Sequence, residues 1–183
     1  MEVKNAEDKC SHSRSYNGGC RRISKMIREM KPEDIEEVLK ISEECFNSDA
    51  WSRKAFEREF ELEHSYKFVL EENGEIIGYA VVWKIFEDAT LMSIAIRKDR
   101  WGKGYGKRLM TFLIDYLRGK AERFLLDVRR SNIRAIRLYQ SLGFKIVSER
   151  KRYYSDGENA LQMVLELEVK DENKGKSSEA VGK

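Results

Sequence analysis

Apolar residues along the chain recur with two alternating periods, and the points where the period switches outline a fold. "MIREMK", from Met26, reads as a short strand, and Pro32 follows where its fixed φ suits the opening of a helix. Ile35, Val38, Leu39, Ser42 and Cys45 then keep helical spacing. Ser52 to Phe60 ("SRKAFEREF") reads as a second, short helix with Ser52 as its N-cap. "YKFVLEENGEIIGYAVVWKIF" holds two strand-like runs joined by Asn73-Gly74, a pair that accepts the positive φ angles of a tight hairpin. Thr90 to Ile96 ("TLMSIAI") is a further strand, leading straight into glycines at 102, 104 and 106. Leu109, Phe112, Leu113, Tyr116 and Leu117 recur at i, i+3, i+4, i+7 and i+8, an apolar stripe suited to packing a helix on a sheet. "RFLLDV" reads as a buried strand and "NIRAIRLYQSLG" as a helix ended by Gly143. "FKIVSERKRYY" and "NALQMVLEL" then read as a closing hairpin around Asp156-Gly157. The order β-α-α-β-β-β-α-β-α-β-β predicts an α/β (α+β) domain, a mixed central sheet of about seven strands flanked by about four helices.

The patterned region runs from 26 to 168. Residues 1–25 and 169–183 are polar and lack either period, which predicts disordered tails around a single domain. Charge sharpens this division. The first 25 residues carry six Lys/Arg and three Asp/Glu, and the last fifteen carry four and three. Removing them from totals of 35 and 32 leaves 25 basic and 26 acidic residues, a net of −1. The basic excess therefore belongs to the tails and gives the domain no nucleic-acid footprint. No apolar run approaches the roughly 20 residues of a membrane span and no signal-peptide core opens the chain, so no membrane partner and a cytoplasmic location are expected. Three cysteines (Cys10, Cys20, Cys45) make no disulfide framework and fit a reducing compartment. Cys10, His12 and Cys20 offer at most three ligands in an unpatterned segment, so no metal is expected.

The glycines of "IRKDRWGKGYGKRLM" demand a tight turn or a close approach to a ligand. A Walker loop would need glycine where Trp101 stands and Ser or Thr where Arg108 stands, so a metal-bound triphosphate is excluded. The dinucleotide fingerprint needs Gly-x-Gly-x-x-Gly and a downstream ribose-binding acid, and neither is present. A strand, a glycine loop and a helix N-terminus remain, an arrangement that holds an anion through free N–H groups and the helix dipole. A tight strand-to-helix connection with no ligand satisfies the same spacing.

"TLMSIAIRKDRWGKGYGKRLM" followed by "FLLDVRRSNIRAIRLYQSLGFKIVSERKRYY" resembles the acetyl-coenzyme A binding core of the GNAT N-acetyltransferases. It is most similar to the RimI group of protein N-terminal (ribosomal-protein alanine) acetyltransferases. The resemblance spans about Met26 to Leu167 and rests on Leu-x-Val-Arg-x-Ser-Asn (Leu126 to Asn132) and Leu-Tyr-x-x-Leu-Gly-Phe (Leu138 to Phe144). It implies acetyl-CoA as acetyl donor, with its pyrophosphate on the loop Trp101-Gly102-Lys103-Gly104-Tyr105-Gly106. It also implies backbone pairing of the pantetheine arm with Ile94, Ala95 and Ile96, and a contact from Asn132. Trp101 departs from the family's Arg or Gln at that place, and Arg100 is the neighbour able to supply the missing charge.

Acetyl transfer to an amine needs a deprotonated amine, and an α-amine costs roughly 3 kcal/mol less to deprotonate at pH 7 than a lysine. Asp127 interrupts an apolar strand, where a carboxylate is costly unless paired, solvated or functional. The resemblance makes Asp127 the general base, acting through a water because it is one methylene shorter than the family's usual Glu. It makes Tyr139 the general acid, although periodicity alone reads Tyr139 as a core aromatic. By the same resemblance Tyr153 and Tyr154, in pattern ordinary cross-strand aromatics, bind the peptide backbone, while Phe46 and Trp51 line the pocket for its first side chain. His64 is read as a surface residue. Cys45 lies outside the catalytic segments, which favours direct transfer in a ternary complex over a cysteine intermediate. The expected partner is the N-terminal segment of a protein, a ribosomal one among the candidates. The alternatives are an acetyltransferase for lysine or small amines, and a GNAT-fold module that binds coenzyme A without turnover.

Overall fold

Strands and helices follow one another in the order that the two periods imply. The computed structural model describes residues 26–167, so both tails and the Cys10, His12 and Cys20 grouping lie outside the described residues. The elements are β1 (Ile27–Glu29), α1 (Ile35–Phe46), α2 (Arg53–Glu59), β2 (Ser65–Glu72), β3 (Glu75–Ile85) and β4 (Asp88–Ile96). They continue with α3 (Tyr105–Leu117), β5 (Arg123–Arg129), α4 (Ile133–Ser141), β6 (Lys145–Arg150) and β7 (Ala160–Glu166). Pro32 opens a short 3-10 turn (Pro32–Asp34) ahead of α1 rather than α1 itself. Asp34 closes that turn, accepting the Lys31 N–H at 2.7 Å while pairing with Arg28 at 2.7 Å. Ser52 caps α2 by accepting the Ala55 N–H at 3.3 Å, and Asn73 and Gly74 take φ of +53° and +82° in the β2–β3 turn.

The seven strands form one sheet in the order β1-β2-β3-β4-β5-β7-β6. Every neighbouring pair is antiparallel except β4 with β5, and β7 inserts between β5 and β6. Helices α3 and α4 cover one face, where Leu109, Met110, Leu113 and Leu117 bury against Phe68, Ala80, Phe124 and Leu126. Helices α1 and α2 cover the other with Val38, Ile41 and Phe56 against Val69, Tyr79 and Val81. Burial of each such Leu, Val or Phe stabilises the fold by about 1.5–3 kcal/mol. No helix among the described residues is long and apolar enough to cross a membrane.

One residue in β4 sets the geometry of everything that follows. Val81 of β3 stands opposite Ser93 and Val82 opposite Leu91, so Met92 is an extra residue in the ladder. Before it, Ala89 and Leu91 point into the core under α3 and α4. After it, Ala95 belongs to the core under α1 and α2, while Ile94 and Ile96 pack towards α3 and α4. Because side chains alternate strictly along a strand, a single inserted residue exchanges the two faces. The pairing of β4 with β5 ends at the same place, since only Asp88 to Leu91 pair with Arg123 to Leu126. Beyond that point the two strands part and a wedge opens between them.

The closing hairpin differs from the expected one. β6 stops at Arg150 and β7 begins at Ala160, so Tyr153 and Tyr154 lie in the connection between strands rather than in a strand pair. Arg152 adopts φ +51°, which turns the chain out of register. The N–H groups of Tyr153 and Tyr154 both donate to the Glu158 carbonyl, at 3.0 and 3.1 Å, and close a loop instead of extending the ladder.

Candidate active site

The wedge between β4 and β5 exposes main-chain groups that a closed sheet would consume. Arg97 N–H donates to Ile77 O at 2.8 Å, so in this antiparallel pair Ala95 and Arg97 face β3. Ile94 and Ile96, by alternation, turn their N–H and C=O groups into the wedge. Two donors from other elements mark that direction, since Trp101 Nε1 donates to Ile96 O at 2.6 Å and Cys45 Sγ lies 3.4 Å from the same oxygen. Of the three β4 residues expected to pair with a ligand, Ile94 and Ile96 present backbone groups and Ala95 contributes lining.

After β4 the chain turns through Gly102 and Gly104, with φ of +80° and +83°. Gly104 is the residue from which α3 starts, and its left-handed conformation is one that side-chain-bearing residues adopt only at a cost. The first bond closing the helix runs from Arg108 N–H to Gly104 O, so the amides just before it are spared from the helical ladder. No side chain among the described residues caps this helix end and its first turn holds no acid, which leaves it electropositive. Tyr105 holds the loop from behind through its hydroxyl on Glu72. Arg100 lies 3.4 Å from Glu72 and 3.8 Å from both Glu75 and Asp99, and its Nε has no hydrogen-bond partner among the described residues.

The β4 residues, the glycine loop and α4 enclose a cleft of about 360 Å³. Ile94, Ala95, Ile96, Trp101, Gly102, Gly104, Tyr105, Gly106 and Asn132 all line it, together with Tyr139 and Phe46. Lys103 does not, whereas Arg100, Lys107 and Arg134 do, and of these sequence reasoning missed Lys107 and Arg134. Their signal was a basic residue in the first turn of each helix flanking the glycine loop. Asn132 is also the N-cap of α4, its Oδ1 accepting the Ala135 N–H at 3.1 Å. The cleft therefore combines uncapped helix amides, outward strand amides and three cations, a set that fits a long ligand carrying a diphosphate and an amide arm.

Asp127 is the first residue of β5 beyond the last one paired with β4, so it stands at the vertex of the wedge. Its neighbours Leu126 and Val128 are buried under α3 and α4, which turns Asp127 to the other face. Its Oδ2 lies 3.4 Å from Arg150 Nη1, and its buried Oδ1 has no hydrogen-bond partner among the described residues. The salt bridge to a nearby arginine is thus realised, but it satisfies only half of the carboxylate. Burial pushes the Asp127 carboxyl above its ordinary value, opposed by Arg150 and the Tyr153 phenol. Tyr139 is buried at the cleft wall, its ring tilted against Phe144 at 5.9 Å, and burial pushes its phenol up to about 12. Burial also raises the Tyr154 phenol, which is within electrostatic reach of both Asp127 and Tyr139.

On the far side of Asp127, Arg129 gathers the segments around the tyrosines. Its guanidinium pairs with Asp49 in the α1–α2 connection, with Asp156 at 2.8 Å and with Glu158 at 2.7 Å, and it lies 4.0 Å over the Tyr154 ring. Tyr153 is half-exposed and meets Tyr154 edge-on, at 5.2 Å. Trp51 packs on Phe56 at 5.4 Å, and Phe46 lines the cleft itself. His64 is half-buried with its ring edge-on to Trp83 at 5.2 Å, a packing role. Burial raises the Cys45 thiol to about 11, well away from thiolate chemistry at neutral pH.

Comparison with known proteins identifies the family. Residues 35–144 match the model of the acetyltransferase (GNAT) family. The [ribosomal protein bS18]-alanine N-acetyltransferase of Escherichia coli (strain K12) is 37% identical over 123 residues, spanning 65% of this chain and 82% of that protein. The N-alpha-acetyltransferase RimI of Mycobacterium tuberculosis is 30% identical over 126 residues, spanning 66% and 78%. Among solved structures, the Escherichia coli ribosomal-protein-S18-alanine N-acetyltransferase superimposes with a TM-score of 0.74 at 33% identity, over 80% of this chain and 96% of that one. The chain belongs to the GNAT family of acetyltransferases, and within it is similar to the RimI-type ribosomal-protein alanine N-acetyltransferases.

Proposed function

We propose that this N-acetyltransferase moves the acetyl group of acetyl-CoA onto the N-terminal α-amine of a protein. The amino-terminal alanine of a bS18-type ribosomal protein is the leading acceptor, by analogy with the relatives' named substrate. The observation that carries the reading is the vertex of the wedge. An orphaned carboxylate oxygen of Asp127, without a hydrogen-bond partner among the described residues, stands there where the pairing of β4 with β5 ends, beside Tyr153 of the tyrosine loop.

Acetyl-CoA supplies the activated acetyl group. The uncapped amides of α3, with Lys107, hold its diphosphate, and Ile94 and Ile96 align its amide arm as a neighbouring strand would. Asp127 receives the acceptor's proton through a water, and its raised pKa makes it a stronger base than an exposed Asp while Arg150 keeps it ionised. Tyr139, with its pKa pushed up to about 12, keeps its proton at working pH and can deliver it to the departing thiolate. An α-amine suits a base of this modest strength because deprotonating it at pH 7 costs roughly 3 kcal/mol less than for a lysine. The protonated Cys45 thiol supports direct transfer without a cysteine intermediate.

The test is thiol release from acetyl-CoA with three acceptors: a peptide carrying the bS18 amino terminus, the same peptide blocked at its α-amine with an internal lysine, and a polyamine. Acetylation of the first alone is expected. Turnover of the blocked peptide or the polyamine in preference to the free amino terminus would overturn the acceptor assignment.

A further inference from the structure

The residue at 101 is where this chain leaves its family's pattern, and its side chain is engaged in a way that a simple loop residue is not. Trp101 is about half exposed (46%), yet its indole N–H is committed to the Ile96 carbonyl at 2.6 Å. That carbonyl is one of the outward-facing groups of β4 in the wedge, the set that a strand-like ligand must use. The Arg134 guanidinium, from the first turn of α4, lies 5.1 Å from the centre of the same ring. Trp101 therefore spans the cleft mouth, bonded to β4 on one side and stacked on α4 on the other. Next to it, Gly102 sits at φ +80° with open space around its α-carbon, a pivot free of side-chain obstruction.

We propose that Trp101 is a latch that competes with the amide arm of acetyl-CoA for the Ile96 carbonyl and must swing out about Gly102 for the ligand to seat. This inference rests on the acetyl-CoA reading above. A latch of this kind lowers apparent affinity by the fraction of molecules in which it is closed, so removing its hydrogen bond tightens binding. A net hydrogen bond of ordinary strength corresponds to about a two- to tenfold effect on the dissociation constant.

Titration calorimetry of acetyl-CoA into the wild type and Trp101→Phe tests it, because phenylalanine keeps a ring for Arg134 but has no N–H to donate. The expected result is two- to tenfold tighter binding by Trp101→Phe. Tryptophan emission gives a second measurement: the wild type responds to acetyl-CoA and the variant, which retains Trp51 and Trp83, loses most of that response. Equal binding overturns the latch. Weaker binding also overturns it and makes the ring a platform for the ligand. If acetyl-CoA binds neither protein, the acetyl-CoA reading falls and the latch with it, an outcome distinct from equal binding by both.

Discussion

Arg129 and Asp49 stand 80 residues apart in the chain and form an ion pair that joins the end of β5 to the connection between α1 and α2. Ser155 Oγ donates to the other oxygen of Asp49 at 2.5 Å, so the tyrosine loop is tied to the same point. The two walls on the Asp127 side of the sheet are therefore fastened to each other through one guanidinium. Arg129→Met should loosen both walls while leaving the glycine loop in place. The peptide KM should rise about tenfold while acetyl-CoA affinity stays within twofold. Stability should fall by about 1–2 kcal/mol, discounted because the network is partly solvated. Steady-state kinetics with each substrate varied in turn, and thermal unfolding, check this.

Asp127→Asn should lower kcat/KM by about 10² to 10⁴ at pH 7. The deficit should shrink above about pH 8, where the acceptor α-amine loses its proton unaided. The effect on stability has the opposite sign. The folded chain holds the Asp127 proton more tightly than the unfolded chain does, because burial penalises the charge. Between the ordinary value of 3.8 and the raised folded value the native state binds more protons, so stability falls as pH rises through that window. Asp127→Asn lacks this penalty, so its Tm should gain on the wild type as pH rises from 3 to 7.

Arg150 faces one oxygen of Asp127 at 3.4 Å and opposes the effect of burial. Arg150→Met should move the acidic limb of the kcat/KM profile to higher pH, and Arg150→Lys should restore it. A limb that stays in place in Arg150→Met would remove this arginine from the base's environment.

Tyr139→Phe keeps the ring that packs on Phe144 and loses only the hydroxyl, so the fold should be retained. Turnover should drop about 10²-fold if the hydroxyl supplies the proton. With the phenol pushed up to about 12, the wild type should show no basic limb from Tyr139 below about pH 11. Rates across pH 6 to 10 for both proteins check this.

Gly104→Ala forces a side chain into φ +83°, at a cost of about 1–2 kcal/mol, although open space surrounds the position. Relaxing that strain rotates the first amides of α3. Binding of acetyl-CoA should weaken more than thermal stability does, and calorimetry beside thermal unfolding separates the two.

The element order was legible because the helices carry long apolar stripes and the turns carry residues with a single physical reading. Asn73-Gly74, Gly143 and Ser52 each act as their chemistry predicts. The glycine loop was legible for the same reason, since only a backbone need explains three glycines so close. Met92 was invisible: "TLMSIAI" is almost wholly apolar, so a break in alternation leaves no trace in the pattern. Tyr153 and Tyr154 read as strand residues because what bends them away is Arg152 at positive φ and contacts to Glu158, which periodicity does not report. The Arg129 cluster was out of reach for another reason. It joins carboxylates at 49, 156 and 158, and no local rule links positions that far apart.

The bulge at Met92 also divides labour within single residues. At Ile94 and Ile96 the side chains serve the apolar core while the amide and carbonyl groups of the same residues are offered outward. On the acetyl-CoA reading proposed above, recognition on this wall is written in backbone spacing, a feature shared by every amino acid except proline. Valine at either position should read the ligand as isoleucine does, whereas proline would delete one letter of the message and withdraw an isoleucine side chain from the core. On that reading, selectivity at this wall rests less on which residues the chain carries than on where one surplus residue interrupts its ladder.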